Sequence, residues 1–213
     1  MSSFTHAPVL IVAFLLLAAF VTPLFGQRER AVNAVFLGAG LLAFALAVGM
    51  TMRVLAQGTL SYPVGGWPAP YGIVVWVDAF AAYSSLVIAT VSLIISWFAV
   101  SGPREVRHNS AYFTLILLLT AAMQGMVMAG DLFNLFVFIE ISSLAAIAII
   151  AIKGTRESVE ASFRYLVLSA LGSGGLLFSI ALIFMITGHL NMEYIRTTLT
   201  VTAAQYPLSL IHI

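Results

Sequence analysis

Of 213 residues, 62% are hydrophobic and 8% charged, and the formal net charge is +1; the mean hydropathy is +1.08. A soluble domain carries about 25% charged residues, so this chain has too few polar groups to cover a surface in water, whereas a bilayer lets nearly every helix face stay apolar. With no cysteine, disulfides, thiolate metal sites and cysteine nucleophiles are excluded.

In chain order, MSSFTHAP places no Lys or Arg ahead of the first apolar run, a pattern expected of a retained first span rather than a cleaved signal. Crossing about 30 Å of hydrocarbon takes roughly 20 helical residues. By that measure six spans are predicted: Pro8 to Phe25, Ala31 to Leu55, Ala79 to Val100, Ala111 to Gly130, Leu132 to Ile152 and Tyr165 to Gly188. The prolines fit this division. Pro8, Pro63, Pro68, Pro70, Pro103 and Pro207 fall outside spans or at their start, and only Pro23 lies within one, near its end. The expected class is therefore an all-α polytopic membrane protein.

Lys and Arg favour cytoplasmic loops. Arg28 and Arg30 follow span 1, Arg104 and Arg107 follow span 3, and Lys153 and Arg156 follow span 5. This places the N-terminus outside, together with the loop from Tyr62 to Val77 and the turn at Asp131. Arg53 and Arg196 break the pattern and are read as snorkelling or capping residues.

The outer loop QGTLSYPVGGWPAPYGIVVWV is uncharged and rich in Gly, Pro and aromatics. It suits an ordered interfacial segment with Tyr62, Trp67, Tyr71 and Trp76 at headgroup depth, or a lid over a pore. In span 6, Ser169 and the run Gly172, Ser173, Gly174, Gly175 permit close helix approach or a hinge.

Glu140 alone places a charge deep in a predicted span. It lies eight residues beyond Leu132, which at 1.5 Å per residue is roughly 12 Å into the apolar slab. Inserting an ionised carboxylate there costs at least about 2.5 to 3.5 kcal/mol. Burial favours the neutral form of an acid and a nearby cation favours the charged form, so a carboxylate in this setting suits a proton or ion site. The other reading is a glutamate that only cross-links helices. Phe136, Val137, Ser143 and Leu144 share its helix face, and Ser143 is placed either to hold a water or to bond its own backbone. Arg164, at the entry to span 6, is the best-placed cation within the chain, although Glu160 four residues earlier is its better local partner.

Asp78 and Asp131 stand where spans 3 and 5 begin and are expected to cap them, with Asp131 alternatively lining the outer mouth of an ion path. His6, His108, His189 and His212 are scattered, with no spacing that suits a metal site. Neither a Gly-rich phosphate loop nor a nucleophile elbow is present. No metal or cofactor is expected.

The stretches GDLFNLFVFIEISSLAAIAIIA, RESVEASFRYLVLSALGSGG and TGHLNM resemble the antiporter-like membrane subunits shared by Mrp-type cation/proton antiporters, respiratory complex I and membrane-bound hydrogenases. The loop GGWPAPYGI and the following VDAF look most like the Mrp D-type protein, and the similarity runs roughly from Gly65 to Met192. The resemblance implies the N-terminal part of a fold of about fourteen helices. It implies a role for Glu140 as the proton-carrying carboxylate that pairs with a lysine on the family's seventh span, and it makes Arg164 a possible contributor to charge relay.

The implied function is proton/cation translocation as a subunit of a multisubunit Na+/H+ antiporter in a prokaryotic plasma membrane, with other membrane subunits, the bilayer, protons and Na+ as partners and no nucleic acid. The alternatives are a proton-pumping subunit of a complex I-like or hydrogenase complex, whose redox chemistry sits in partner subunits, and a structural membrane scaffold. Residues 1–196 are expected to form one transmembrane domain. The ending LSLIHI, from Leu208 to Ile213, reads as a translated sequencing adapter, so 197–213 is set apart as a doubtful tail and the pairing lysine is expected beyond this sequence.

Overall fold

A computed structural model describes residues 5–26, 28–102 and 110–205. Arg104, Arg107 and His108, and the tail with Pro207, His212 and LSLIHI, lie outside the described residues. Six helices among the described residues are long and apolar enough to cross a membrane, in keeping with the predicted spans.

Helix α1, Ala7–Val21, has Pro8 in its first turn, where the missing N–H is not needed. Pro23 marks its end, as a short 3-10 turn, Thr22–Phe25, takes over. Helix α2, Glu29–Gln57, stops at Gly58, whose N–H bonds to Val54 O. Helix α3 is Ala79–Ser101, and Asp78 Oδ1 caps it by accepting from Ala81 N at 2.8 Å. Helix α4 is Ser110–Val127. Helix α5, Leu132–Ala151, is capped by Asp131 Oδ1, which accepts from Asn134 N at 2.7 Å. Both predicted aspartate caps are present.

Helix α6 corrects one boundary. It runs Arg156–Thr187 and thus begins well before Tyr165. The Thr155 hydroxyl caps it by accepting from Ser158 N, and Glu160 pairs with Arg164 one turn on. Charged residues can extend a helix beyond the hydrocarbon, and 32 residues at about 1.5 Å each outrun a slab of about 30 Å. A further helix, α7, Met192–Gln205, lies beyond the predicted spans. Asn191 Oδ1 caps it by accepting from Glu193 N and Tyr194 N.

The fold is also not purely helical. The Gly- and Pro-rich loop forms an antiparallel hairpin of β1, Leu60–Pro63, and β2, Val74–Val77. Tyr62 of β1 and the valines and Trp76 of β2 favour strand, in a segment too short to rank beside the long apolar runs.

Four helices make the core. α1 packs on α2 and α4, and α3 packs on both α2 and α4. Ile11, Leu15, Phe36, Met50, Phe113 and Leu117 are among its fully buried large side chains, and Phe36 stacks on Phe113 with ring centroids 4.3 Å apart. Between α3 and α4 lies a polar ladder: Ser85 Oγ donates to Gln124 Oε1 at 2.6 Å, Gln124 Nε2 donates to Ser85 O at 3.0 Å, and the Ser92 and Thr120 hydroxyls bond at 3.0 Å. Such bonds between helices contribute roughly 0.6 kcal/mol each in a membrane.

Helices α5 and α6 flank this core, with α5 seated on α4 and α6 on α5. The α4 seat needs Gly125, because any Cβ there would overlap the Phe138 ring of α5. The glycines of α6 behave otherwise. A Cβ on Gly172, Gly174 or Gly175 meets nothing within 4 Å among the described residues, so the expected close packing there is not seen, and α6 runs through them as one helix.

Gly125→Ala in the complete protein is expected to lower stability by about 1 to 3 kcal/mol, the usual range for overpacking. Phe138→Leu combined with it should recover part of the loss. Thermal unfolding of the detergent-solubilised single and double variants measures this coupling.

Candidate functional site at Glu140 and the outer seam

Helix α5 carries the candidate site, and two packing facts orient it. Its N-terminus is fixed by the Asp131 cap, and its α4 face is fixed by Phe138 lying over Gly125. At 3.6 residues per turn, Glu140 stands about 200° around the helix from Phe138. It therefore faces away from α4 and the core. Its Oε1 is buried with no hydrogen-bond partner among the described residues. An orphaned carboxylate oxygen is costly, and a proton, a water or a cation would each relieve that cost.

The other predicted site residues divide. Arg164 is committed to Glu160, and both side chains are largely exposed, so no pair with Glu140 forms. On the Glu140 face, Ser143 is half-buried and Leu144 is exposed. It is the neighbouring Ser142, not Ser143, whose hydroxyl donates to Ile139 O at 2.8 Å. Arg53 departs from the snorkelling expectation, since its Nε and Nη1 are buried without a partner among the described residues. Arg196 is exposed and paired with Glu193, which holds the Glu193 carboxyl below its usual range.

At the N-terminal end of α5 a seam of backbone hydrogen bonds joins three connections. Trp76 N donates to Met128 O at 3.0 Å and Gly130 N to Val74 O at 3.1 Å, tying the hairpin to the α4–α5 turn. Leu132 N donates to Leu190 O at 3.0 Å and Met192 N to Gly130 O at 3.1 Å, tying that turn to the α6–α7 turn. His6 Nδ1 meets the Tyr62 hydroxyl at 3.0 Å and brings the start of α1 to the same end. The segments assigned to the outside from loop charge thus meet at one end. Trp67, Tyr71 and Trp76 are exposed there, as an interfacial belt requires.

Asp131 sits inside this seam and is 8% exposed. Its Oδ1 is used in the cap, whereas its Oδ2 is buried without a partner among the described residues. Desolvation raises its pKa from the ordinary carboxylate value, opposed by the backbone N–H groups of Asn134 and Phe133. With the folded pKa raised, the charged form costs native stability, and that cost grows as pH rises from the ordinary carboxylate range through the folded pKa.

The seam has a steric requirement at Gly130, where a Cβ would collide with the Val74 carbonyl. Gly130→Ala is expected to part the hairpin from the α4–α5 turn. Hydrogen exchange followed by mass spectrometry should show faster exchange at the Trp76 and Gly130-region amides, with protection in the α1 to α4 core unchanged.

The chain has counterparts among known proteins. A family model described as NADH:quinone oxidoreductase/Mrp antiporter, TM, matches residues 129–213, from the outer turn through α5 and α6. The D subunit of the Na(+)/H(+) antiporter of Bacillus subtilis (strain 168) is 28% identical over 192 residues, covering 90% of this chain and 38% of that protein. The N subunit of the NADH-quinone oxidoreductase of Desulforudis audaxviator (strain MP104C) is 36% identical over 197 residues, covering 88% of this chain and 38% of its own length. In the solved Mrp complex from Dietzia sp. DQ12-45-1b, one chain superposes with a TM-score of 0.81 at 30% identity, covering 90% of this chain and 36% of that one. This chain spans under two-fifths of the length of those relatives. It is a polytopic membrane protein homologous to the D-type proteins of Mrp antiporters and the N-type proteins of NADH-quinone oxidoreductases, and its residues 129–213 match the NADH:quinone oxidoreductase/Mrp antiporter transmembrane family.

Proposed function

We propose that the intact protein is a proton- and cation-translocating subunit of a multisubunit Na+/H+ antiporter in a prokaryotic plasma membrane, with Glu140 as the carboxylate that takes up and releases the proton. The observation that carries this reading is the orphaned, buried Oε1 of Glu140 on a face of α5 turned away from the core. A structural glutamate would be expected to spend both oxygens on neighbouring helices. A carrier must keep an oxygen available. The likeness to D-type antiporter proteins supports the same role, and the remaining subunits of such a complex are the proposed partners.

Geometry also bears on how Glu140 would be served. Arg164, the cation expected to be best placed for it, is held by Glu160, so the positive charge that would lower the proton affinity of Glu140 is proposed to come from outside residues 5–205. An intramembrane lysine on a following span would supply it. Approach of that cation favours release of the proton and its withdrawal favours uptake. Ser143, one turn from Glu140 on the same face, is proposed to position a water beside the carboxylate.

A second reading is supported by the 36% identity to an NADH-quinone oxidoreductase protein of the N type: the same carboxylate in a proton-pumping member of a redox complex. The complex purified from native membranes separates the two. Iron–sulfur proteins in it favour the redox reading, and Na+-dependent proton movement without them favours the antiporter.

Antiport in everted vesicles carrying the complete gene tests the role of Glu140. Glu140→Ala and Glu140→Gln are expected to reduce exchange by more than about tenfold, within the contribution typical of a proton-transferring group, with the complex still assembled. Full activity in Glu140→Ala would remove Glu140 from the mechanism. Unchanged transport with lower complex yield would make it a structural cross-link.

A further inference from the structure

Two buried polar atoms in the outer seam are left without partners among the described residues: Asp131 Oδ2 and His189 Nδ1. They come from different connections, the α4–α5 turn and the α6–α7 turn, yet the seam brings those connections together. Asp131 and Asn191 face each other across an antiparallel bridge, and His189 lies two residues before Asn191. By that register Asp131 and His189 are diagonal neighbours, a relation that separates Cα atoms by about 7 to 8 Å. The two orphaned atoms do not bond each other directly, and one or two bridging waters suit the gap between them.

The surroundings are built for this. The His189 backbone is held by Thr187, whose hydroxyl accepts from His189 N at 3.2 Å while donating to Ile183 O at 2.8 Å, and the His189 ring lies 5.3 Å from that of Tyr194. A cleft of about 460 Å³ opens on the outer side beside both residues, lined by Trp76, Gly130, Asn191, Glu193, Tyr194 and Arg196. Asp131 directly follows the lining residue Gly130, and the His189 ring lies beside the lining residue Tyr194.

Other titratable groups on the elements that meet there are already engaged. On α7, Glu193 pairs with Arg196 and the Tyr194 hydroxyl donates to Ala69 O. On β1, Tyr62 is bonded to His6; after β2, Asp78 caps α3; no titratable side chain lies on β2 itself.

We infer that Asp131 and His189 form a water-bridged proton-relay site through which the outer aqueous phase exchanges protons with the helix that carries Glu140. The inference rests on the reading of Glu140 as a proton carrier. In the uptake step, water in the cleft gives a proton to His189 Nδ1. His189 then passes a proton through the bridging water to the Asp131 carboxylate, at the head of the helix that carries Glu140, and the imidazole is restored. Release runs the same transfers in reverse. A carboxyl held above its ordinary range by burial is easily protonated, which suits the second transfer.

The test uses the complete complex in proteoliposomes with the pH of the outer compartment varied. Asn and Ser both replace Asp as helix N-caps, so Asp131→Asn and Asp131→Ser keep the α5 cap while removing the titratable oxygen. These variants and His189→Gln are expected to assemble normally, to exchange about tenfold more slowly at neutral outer pH, and to lose most of the dependence on outer pH. Wild-type rates and pH profile would overturn the relay. So would a uniformly lower rate with an unchanged profile, or failure of both Asp131 variants to assemble, since each assigns a structural role alone. Glu140→Gln measured alongside keeps the two readings apart. Full exchange in Glu140→Gln sinks the carrier reading, whereas an inactive Glu140→Gln beside normal Asp131 and His189 variants sinks only the relay.

Discussion

The organisation of this chain depends on one close approach: the Val74 carbonyl of the hairpin against the α carbon of Gly130. A bilayer offers no water to unpaired backbone groups, so irregular segments at the ends of spans are stable only where they bond one another. At Gly130 the hairpin and the α4–α5 turn do so, and Met192 N donates to Gly130 O to bring in the α6–α7 turn. The seam sets where α5 begins. Through the Asp131 cap and the Phe138 seat on Gly125, it also sets the direction in which Glu140 faces.

Two kinds of polar burial coexist here. Ser85, Gln124, Ser92 and Thr120 between α3 and α4 bond one another, and together they fix the register of two core helices. Glu140, Asp131 and His189 instead keep one buried atom each without a partner among the described residues. Asn33 and Arg53 of α2 also hold such atoms, but the acid–base groups used in the proposed function lie on α5 and the turns that hold it. The satisfied ladder lies in the four-helix core and those groups lie beside it, which separates a rigid support from the part that handles protons in the proposed function.

Much of this is legible in the sequence. Six spans, the caps at Asp78 and Asp131 and the isolation of Glu140 all follow from local rules: the length needed to cross hydrocarbon, its cost for a charged group, and the short side chains that cap helices. Where the sequence falls short, the cause is a non-local contact or a weak local signal. The hairpin is hidden because its strands are stabilised by each other and by the α4–α5 turn. α6 starts early because a Thr155 cap and a Glu160–Arg164 pair extend helix beyond the apolar run. His189 gives no signal, since a lone histidine in a loop becomes informative only when a second orphaned group lies across from it.

The sequence by itself determined the solvent this protein lives in, the six candidate crossings among the described residues and the one carboxylate placed deep in a span, because each is a property of a single segment and its transfer energy. Only the tertiary structure decided which way that carboxylate faces, that Arg164 is already occupied by Glu160, and that Asp131 and His189 are neighbours across a seam. Those are relations of side chains to the folded surroundings, most of them between segments far apart in the chain, and they are fixed by the packing of Phe138 on Gly125 and the backbone hydrogen bonds at Gly130, which no local pattern encodes.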